Sequence, residues 1–286
     1  MATQKLVVCT SHSPGMERDV QEVEGSGFRA GLAEARRIVT EFAPDRAVVF
    51  GGDHRRAFVQ VVPAFAVSLS AGIIAEGGHP SGELDVPAAL AGELAEHLLA
   101  AGYDIGVCRG VELDHAFAQP LRRLLGGIDA VPVVPVAINC ATPPLPGAAR
   151  VQAFGGAVGK FLDTLPGRTL IIGSGGLSHS PPSMEAAAHD LGDEERARLI
   201  AEGLPAARLK IRPDWDRAVL AALAEDDRNA LADLVDHATE RAGAGGHEVR
   251  TWLAAAAAGG GALATVAYEP VPDWITGMGV AASVPS

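Results

Sequence analysis

Apolar and polar positions along this chain fall into blocks that read as strand, turn and helix, over and over. The block 5–10, KLVVCT, is a short aliphatic and β-branched run, which predicts a buried strand. From 20 to 42 apolar residues return at Val23, Phe28, Leu32, Ala35, Ile38 and Phe42, close to the helical period, and Pro44 predicts the stop. A second strand, 46–50 (RAVVF), runs into Gly51, Gly52, Asp53 and His54, and 57–75 alternates loosely as extended structure does. Residues 85–101 predict a helix with Pro87 near its start and Gly102 beyond its end. A strand over 103–109 follows, then a helix opened by Asp114, His115 and Ala116 and reaching Leu125. The run 130–139, AVPVVPVAIN, carries two prolines and predicts an irregular or edge strand. Residues 147–165 predict a helix, and 169–172 (TLII) a strand.

The character changes over 184–242, which is polar, charged and helix-forming; it predicts a helical segment over the site or at a subunit contact. A glycine joint at 243–246 leads to a last helix over 247–258 and a last strand over 262–268, with the tail capping the sheet. The pattern predicts one α/β domain over 1–286, with a central mixed, largely parallel sheet flanked by helices and a helical insertion near 184–242.

Composition narrows the partners. With 23 basic and 35 acidic side chains the net charge is −12, which argues against nucleic acid and against an anionic membrane surface. The Ala-rich run at 253–258 is too short to span a bilayer. Cys9, Cys108 and Cys140 are scattered, odd in number and set in apolar surroundings, so free buried thiols are expected; with no signal-peptide pattern at the start, a cytoplasmic setting is expected too.

The stretch 169–182, TLIIGSGGLSHSPP, holds the chemistry together. A strand ends in Gly173, Ser174, Gly175 and Gly176, and His179 follows with Pro181 and Pro182 stiffening the exit. An open α/β sheet delivers side chains to a cleft at the carboxyl ends of its strands in this way. His12, His54 and His115 occupy similar places after apolar runs or at a helix start, whereas His97 and His237 lie inside helical patterns and His79, His189 and His247 are the remainder. Two neutral imidazoles and one carboxylate on one face of a divalent metal leave three adjacent positions open. His12 and His54, at the ends of strands expected to be neighbours, suit the imidazoles; Asp53, Asp114 and Glu248 are the available carboxylates, and spacing does not choose among them. Ser178 lacks the glycine two residues on that a nucleophile elbow needs.

Eight stretches spread over the chain carry a resemblance: CTSHSPG at 9–15, GGDHRRAF at 51–58, GELDVP at 82–87, LDHAFAQPL at 113–121, VPVVPVAIN at 131–139, ATPPLPG at 141–147, GSGGLSHSPP at 173–182 and GHEVRTW at 246–252. In these the chain resembles the class III extradiol ring-cleavage dioxygenases of the protocatechuate 4,5-dioxygenase β-subunit superfamily, nearest to those acting on 2,3-dihydroxyphenylpropionate. The resemblance implies an Fe(II) enzyme that opens a 3-substituted catechol with O2 beside its diol, as a homo-oligomer. It implies that His12, His54 and Glu248 are the iron ligands and that His115 and His179 are unligated acid–base residues. His179 is expected to take a proton from the catechol and His115 to give one to the departing oxygen. Asp114, Arg55, Arg56 and Pro181 are the candidate substrate contacts, the arginines because a guanidinium fork matches a carboxylate. Two features depart from the family: the segment between Pro182 and Gly246 is short, and two arginines follow His54.

Overall fold

A computed structural model of the chain describes residues 3–76, 80–184 and 191–283; His79, His189 and part of the expected helical insertion lie outside the described residues. The strands are β1 (Thr3–Thr10), β2 (Arg46–Gly51), β3 (Phe65–Ile73), β4 (Gly82–Glu83), β5 (Gly106–Leu113), β6 (Val133–Ile138), β7 (Gly167–Ser174), β8 (Ala264–Val271) and β9 (Thr276–Ala282). The helices are α1 (Pro14–Arg18), α2 (Ser26–Phe42), α3 (Ala88–Ala100), α4 (His115–Leu125), α5 (Ala148–Leu162), α6 (Asp193–Ala207), α7 (Pro213–Ala224), α8 (Arg228–Asp236), α9 (Ala238–Ala242) and α10 (Val249–Gly259).

All nine strands form one sheet in the order β4-β3-β6-β2-β7-β1-β9-β8, with β5 on the other side of β3. The middle four, β6, β2, β7 and β1, are mutually parallel, while β9, β8, β3 and β4 add antiparallel pairings toward the edges. This is the expected mixed α/β architecture. The central strands are apolar throughout because both sheet faces are covered. On one face α5 and α10 pack in the core with Phe50, Phe154, Ile171 and Trp252; on the other α2 and α4 pack with Phe28, Phe117, Leu6 and Ile172. The Ala-rich run that is too short for a bilayer is the buried heart of α10.

Three local expectations need correction. First, β1 and β2 are not neighbours: β7 lies between them and pairs with both. Second, β6 is neither edge nor irregular; it is wholly buried between β2 and β3. It tolerates Pro135 because that residue pairs opposite Val49 on the β2 side, and the β3 ladder engages only Val136–Ile138. The absent N–H falls where no β3 partner has yet begun. Third, the first long helix starts at Ser26 rather than near residue 20, after Gly25 in a left-handed conformation. Val20 and Val23, which extended the apparent period, are 84% and 67% exposed.

Candidate metal centre and cavity

The carboxyl ends of the parallel strands converge on one place. His12 follows β1, His54 follows β2, and the turn after β7 carries His179; His115 opens α4 just beyond β5. Glu248 arrives from the opposite direction, at the junction between a 3-10 turn (Ala244–Glu248) and α10. Two bonds bolt α10 to the β7 turn: Trp252 Nε1 donates to Gly175 O (2.9 Å) and Thr251 Oγ1 to Ser174 O (2.9 Å). A side chain at Gly175 would not fit, since its Cβ would sit 2.7 Å from Glu248 Cβ. That close approach lets the Gly176 N–H donate to Glu248 Oε2 at 2.6 Å.

Three side chains face one another: His12 Nε2 and His54 Nε2 at 3.4 Å, His54 Nε2 and Glu248 Oε1 at 3.1 Å, and His12 Nε2 and Glu248 Oε2 at 3.4 Å. Adjacent donors on an octahedral ion with bonds near 2.1 Å stand about 3 Å apart. The trio therefore fits one ion with little movement. His12, His54 and His115 also offer nitrogens within 4.8 Å of one another, a second set that could hold a metal. Each imidazole is oriented from behind. His12 Nδ1 meets Ser174 Oγ at 2.9 Å, and His54 Nδ1 meets Asp114 Oδ2 at 3.0 Å. A carboxylate can only accept, so His54 Nδ1 carries a proton and Nε2 is the nitrogen left to face an ion.

The electrostatics match. Burial drives His12 down to about 3, with His54 and His115 pushing the same way against Glu248, so it is neutral. Burial alone would raise Glu248, yet His179 and His12 hold it well below the carboxylate range. Burial would likewise lower His54, but Asp114 and Glu248 hold it well above its ordinary value without a metal. An ion arriving here displaces a proton.

His179 and His115 flank this trio. His179 Nδ1 donates to Leu177 O at 2.8 Å, which leaves Nε2 facing the site, 3.4 Å from Glu248 Oε1. Its ring needs a glycine beside it: a Cβ at Gly245 would lie 2.2 Å from Nε2. The His179 turn is clamped from α7. Asp216, fully buried, accepts from the Ser178 N–H (2.7 Å), the Ser178 hydroxyl (2.9 Å) and the Tyr268 hydroxyl (2.7 Å). His115 stacks on His54 at 4.4 Å between ring centroids and donates from Nδ1 to Glu76 Oε2 at 2.7 Å.

In front of these groups lies a cavity of about 370 Å³. Its lining includes all five site residues, Arg55, Arg56 and Pro181, together with Glu76, Arg18, Arg208 and an apolar wall from Met184, Ile200, Leu204 and Trp274. Of the sequence candidates, Asp114 is not on the wall; it is buried behind His54, where it also caps α4 through the Ala116 N–H. Asp53 folds back to accept from the backbone of Arg56, Ala57 and Phe58. The Arg56 guanidinium reaches Glu76 at 3.4 Å. Glu76 is a site residue the sequence reading missed, although IIAEGG shows the same signal as the histidines, a polar group between an apolar strand and glycines.

This fold and site define a ring-opening dioxygenase: the chain belongs to the family described as the catalytic LigB subunit of aromatic ring-opening dioxygenase, which matches residues 6–279. The family is metal-dependent, and a catecholic substrate and O2 fit its chemistry. Among curated proteins, the chain is 38% identical over 302 residues to the 2,3-dihydroxyphenylpropionate/2,3-dihydroxicinnamic acid 1,2-dioxygenase of Klebsiella pneumoniae subsp. pneumoniae, covering 95% of this chain and 96% of that protein. It is 38% identical over 306 residues to the protein of the same name from Escherichia coli, with the same coverage. Among the described residues no helix is long and apolar enough to cross a membrane.

Proposed function

We propose that this protein is an Fe(II)-dependent extradiol dioxygenase that opens a 3-substituted catechol beside its diol, with 2,3-dihydroxyphenylpropionate or a near analogue as substrate. The observation that carries the reading is the triangle of His12, His54 and Glu248 donors at 3.1–3.4 Å, with His115 and His179 beside it on the cavity wall. Family resemblance and the carboxylate facing both His12 and His54 favour this ligand set over one including His115. His12, His54 and Glu248 would hold ferrous iron there, and the ion would supply a meeting point for the catechol and O2 with a residual positive charge that favours the catecholate.

The remaining work falls to the chain's own groups. His179 Nε2 is the base that takes a catechol hydroxyl proton; Leu177 fixes its tautomer, and burial keeps bulk water from competing. His115 is the acid that protonates the departing oxygen as the O–O bond breaks, and Glu76 holds its Nδ1 proton so that Nε2 faces the ring. Asp114 orients His54 from behind. Pro181, Arg55 and Arg56 bound the cavity around the substrate. The three free cysteines and an oxidisable ferrous ion support a cytoplasmic setting, and family membership supports a homo-oligomer.

Anaerobic loading with Fe(II), then a panel of catechols followed by oxygen uptake and the yellow ring-fission product, tests the reading. Oxygen consumption matched by yellow product supports it. Activity with Zn(II) in the absence of O2, or no oxygen uptake with any catechol, overturns it.

A further inference from the structure

Four arginines line the cavity, and they are not equivalent. Arg55 directly follows His54, and Arg56 reaches Glu76, so both stand at the end where His115 and the metal ligands gather. That end is rich in carboxylates, with Glu248 facing His12 and His54 and Glu76 bonded to His115. A second negative group on the substrate would be repelled there. Arg18 and Arg208 belong to a different rim. Gly15, three residues before Arg18 on α1, packs under Trp274, and the neighbouring Asp273 binds Arg208 at 2.8 Å. Arg208 is thereby committed to a carboxylate of the protein. Arg18 ends α1, points to the cavity, and has no ion-pair or hydrogen-bond partner among the described residues. The same cavity is lined by the apolar side chains of Met184, Ile200 and Leu204.

We infer that Arg18 sets specificity: its guanidinium receives a carboxylate at the far end of the ring substituent, while the apolar wall covers the intervening methylenes. The inference rests on the catechol-opening reading above and adds the charge and direction of the side chain. Two physical points support it. A guanidinium presents a planar fork that matches a carboxylate. On a chain of net charge −12, a cation at the rim is also the local attraction that lets an anionic substrate approach.

The experiment compares kcat/KM for 3-(2-carboxyethyl)catechol and uncharged 3-propylcatechol in the iron-loaded wild type, Arg18→Ala and Arg18→Lys. In parallel, binding of 3-phenylpropionate to the metal-free proteins is followed by tryptophan fluorescence, with Trp274 in the cavity wall as reporter. The charged-to-uncharged ratio is expected to fall about 10- to 100-fold in Arg18→Ala, mainly through KM, the lower value applying to a solvent-exposed pair. Arg18→Lys is expected to regain part of the ratio, and 3-phenylpropionate to bind about tenfold more weakly to Arg18→Ala. An unchanged ratio with both catechols still opened, or an equal loss on both, overturns the role of Arg18 and leaves the dioxygenase reading standing. A wild type that opens neither catechol overturns the dioxygenase reading, and the role of Arg18 with it.

Discussion

Replacing Asp216 tests whether the His179 turn is held from outside the metal centre. In Asp216→Ala three donors lose their acceptor at a site with no solvent exposure. The two hydroxyls can rotate, but the Ser178 amide cannot. An orphaned buried amide costs about 1–3 kcal/mol. The hydroxyl hydrogen bonds are lost as well, while the cost of burying the carboxylate is recovered, so about 2–4 kcal/mol in all is expected. A domain of ordinary stability survives that loss. Asp216→Asn keeps the acceptor for the amide, and its new N–H₂ faces the Tyr268 hydroxyl, which can turn to accept; about 1 kcal/mol is expected. The order follows even though burial raises the Asp216 carboxyl, because the Tyr268 and Ser178 donors oppose that rise. Urea unfolding gives the stabilities; iron content and kcat give the functional effect. Asp216→Ala should lower kcat by about tenfold or more with iron still bound, since a loosened base misses its geometry, and Asp216→Asn should restore most of it. If Asp216→Ala loses less than about 1 kcal/mol and keeps its kcat, the clamp is not what holds His179.

Three further outcomes are expected. Glu248→Gln should weaken iron binding by more than about 100-fold, beyond the range seen for outer-shell changes; an anaerobic iron titration reads it, and full retention of iron would remove Glu248 from the ligand set. His115→Ala and His179→Ala should each reduce turnover by roughly 10²–10⁴-fold at unchanged iron stoichiometry, and loss of iron from either would reassign that histidine as a ligand. The His115 hydrogen bond holds the Glu76 carboxyl down to about 2. A depressed carboxyl stabilises the fold above its unfolded pKa of about 4.3 and loses that contribution as the pH falls toward its folded value. Thermal melts of the metal-free protein should therefore fall less steeply over that acid window in Glu76→Gln than in the wild type, and parallel curves would count against the pair.

The strand-end histidines were legible because a polar ring just past an apolar run, with a small-residue turn beside it, stands out at positions 12, 54 and 179. Glu248 was not legible from spacing. It enters just before a helix, more than seventy residues after β7, and only the resemblance selected it over Asp53 and Asp114, whose carboxylates the structure commits to a turn and to His54. Strand order was misread for a related reason: periodicity reports which residues are buried, not which strands touch. The start of α2 was misplaced because Val20 and Val23 carry apolar side chains into solvent. The Asp216 clamp had no sequence signal, since its partners Ser178 and Tyr268 lie 38 and 52 residues away.

The position of β7 between β1 and β2 has a consequence for how this enzyme should fail on heating. His12 and His54 leave strands separated by two ladder spacings, roughly 9–10 Å, and β7, paired along both its edges, acts as the ruler that keeps them so. The far wall, by contrast, is furnished by α6, an amphipathic layer laid over the mouth with much of its surface in water. Warming should loosen the grip on the organic guest well before it unseats the metal ion, so thermal decline should begin as a rising KM in a protein that still carries its metal.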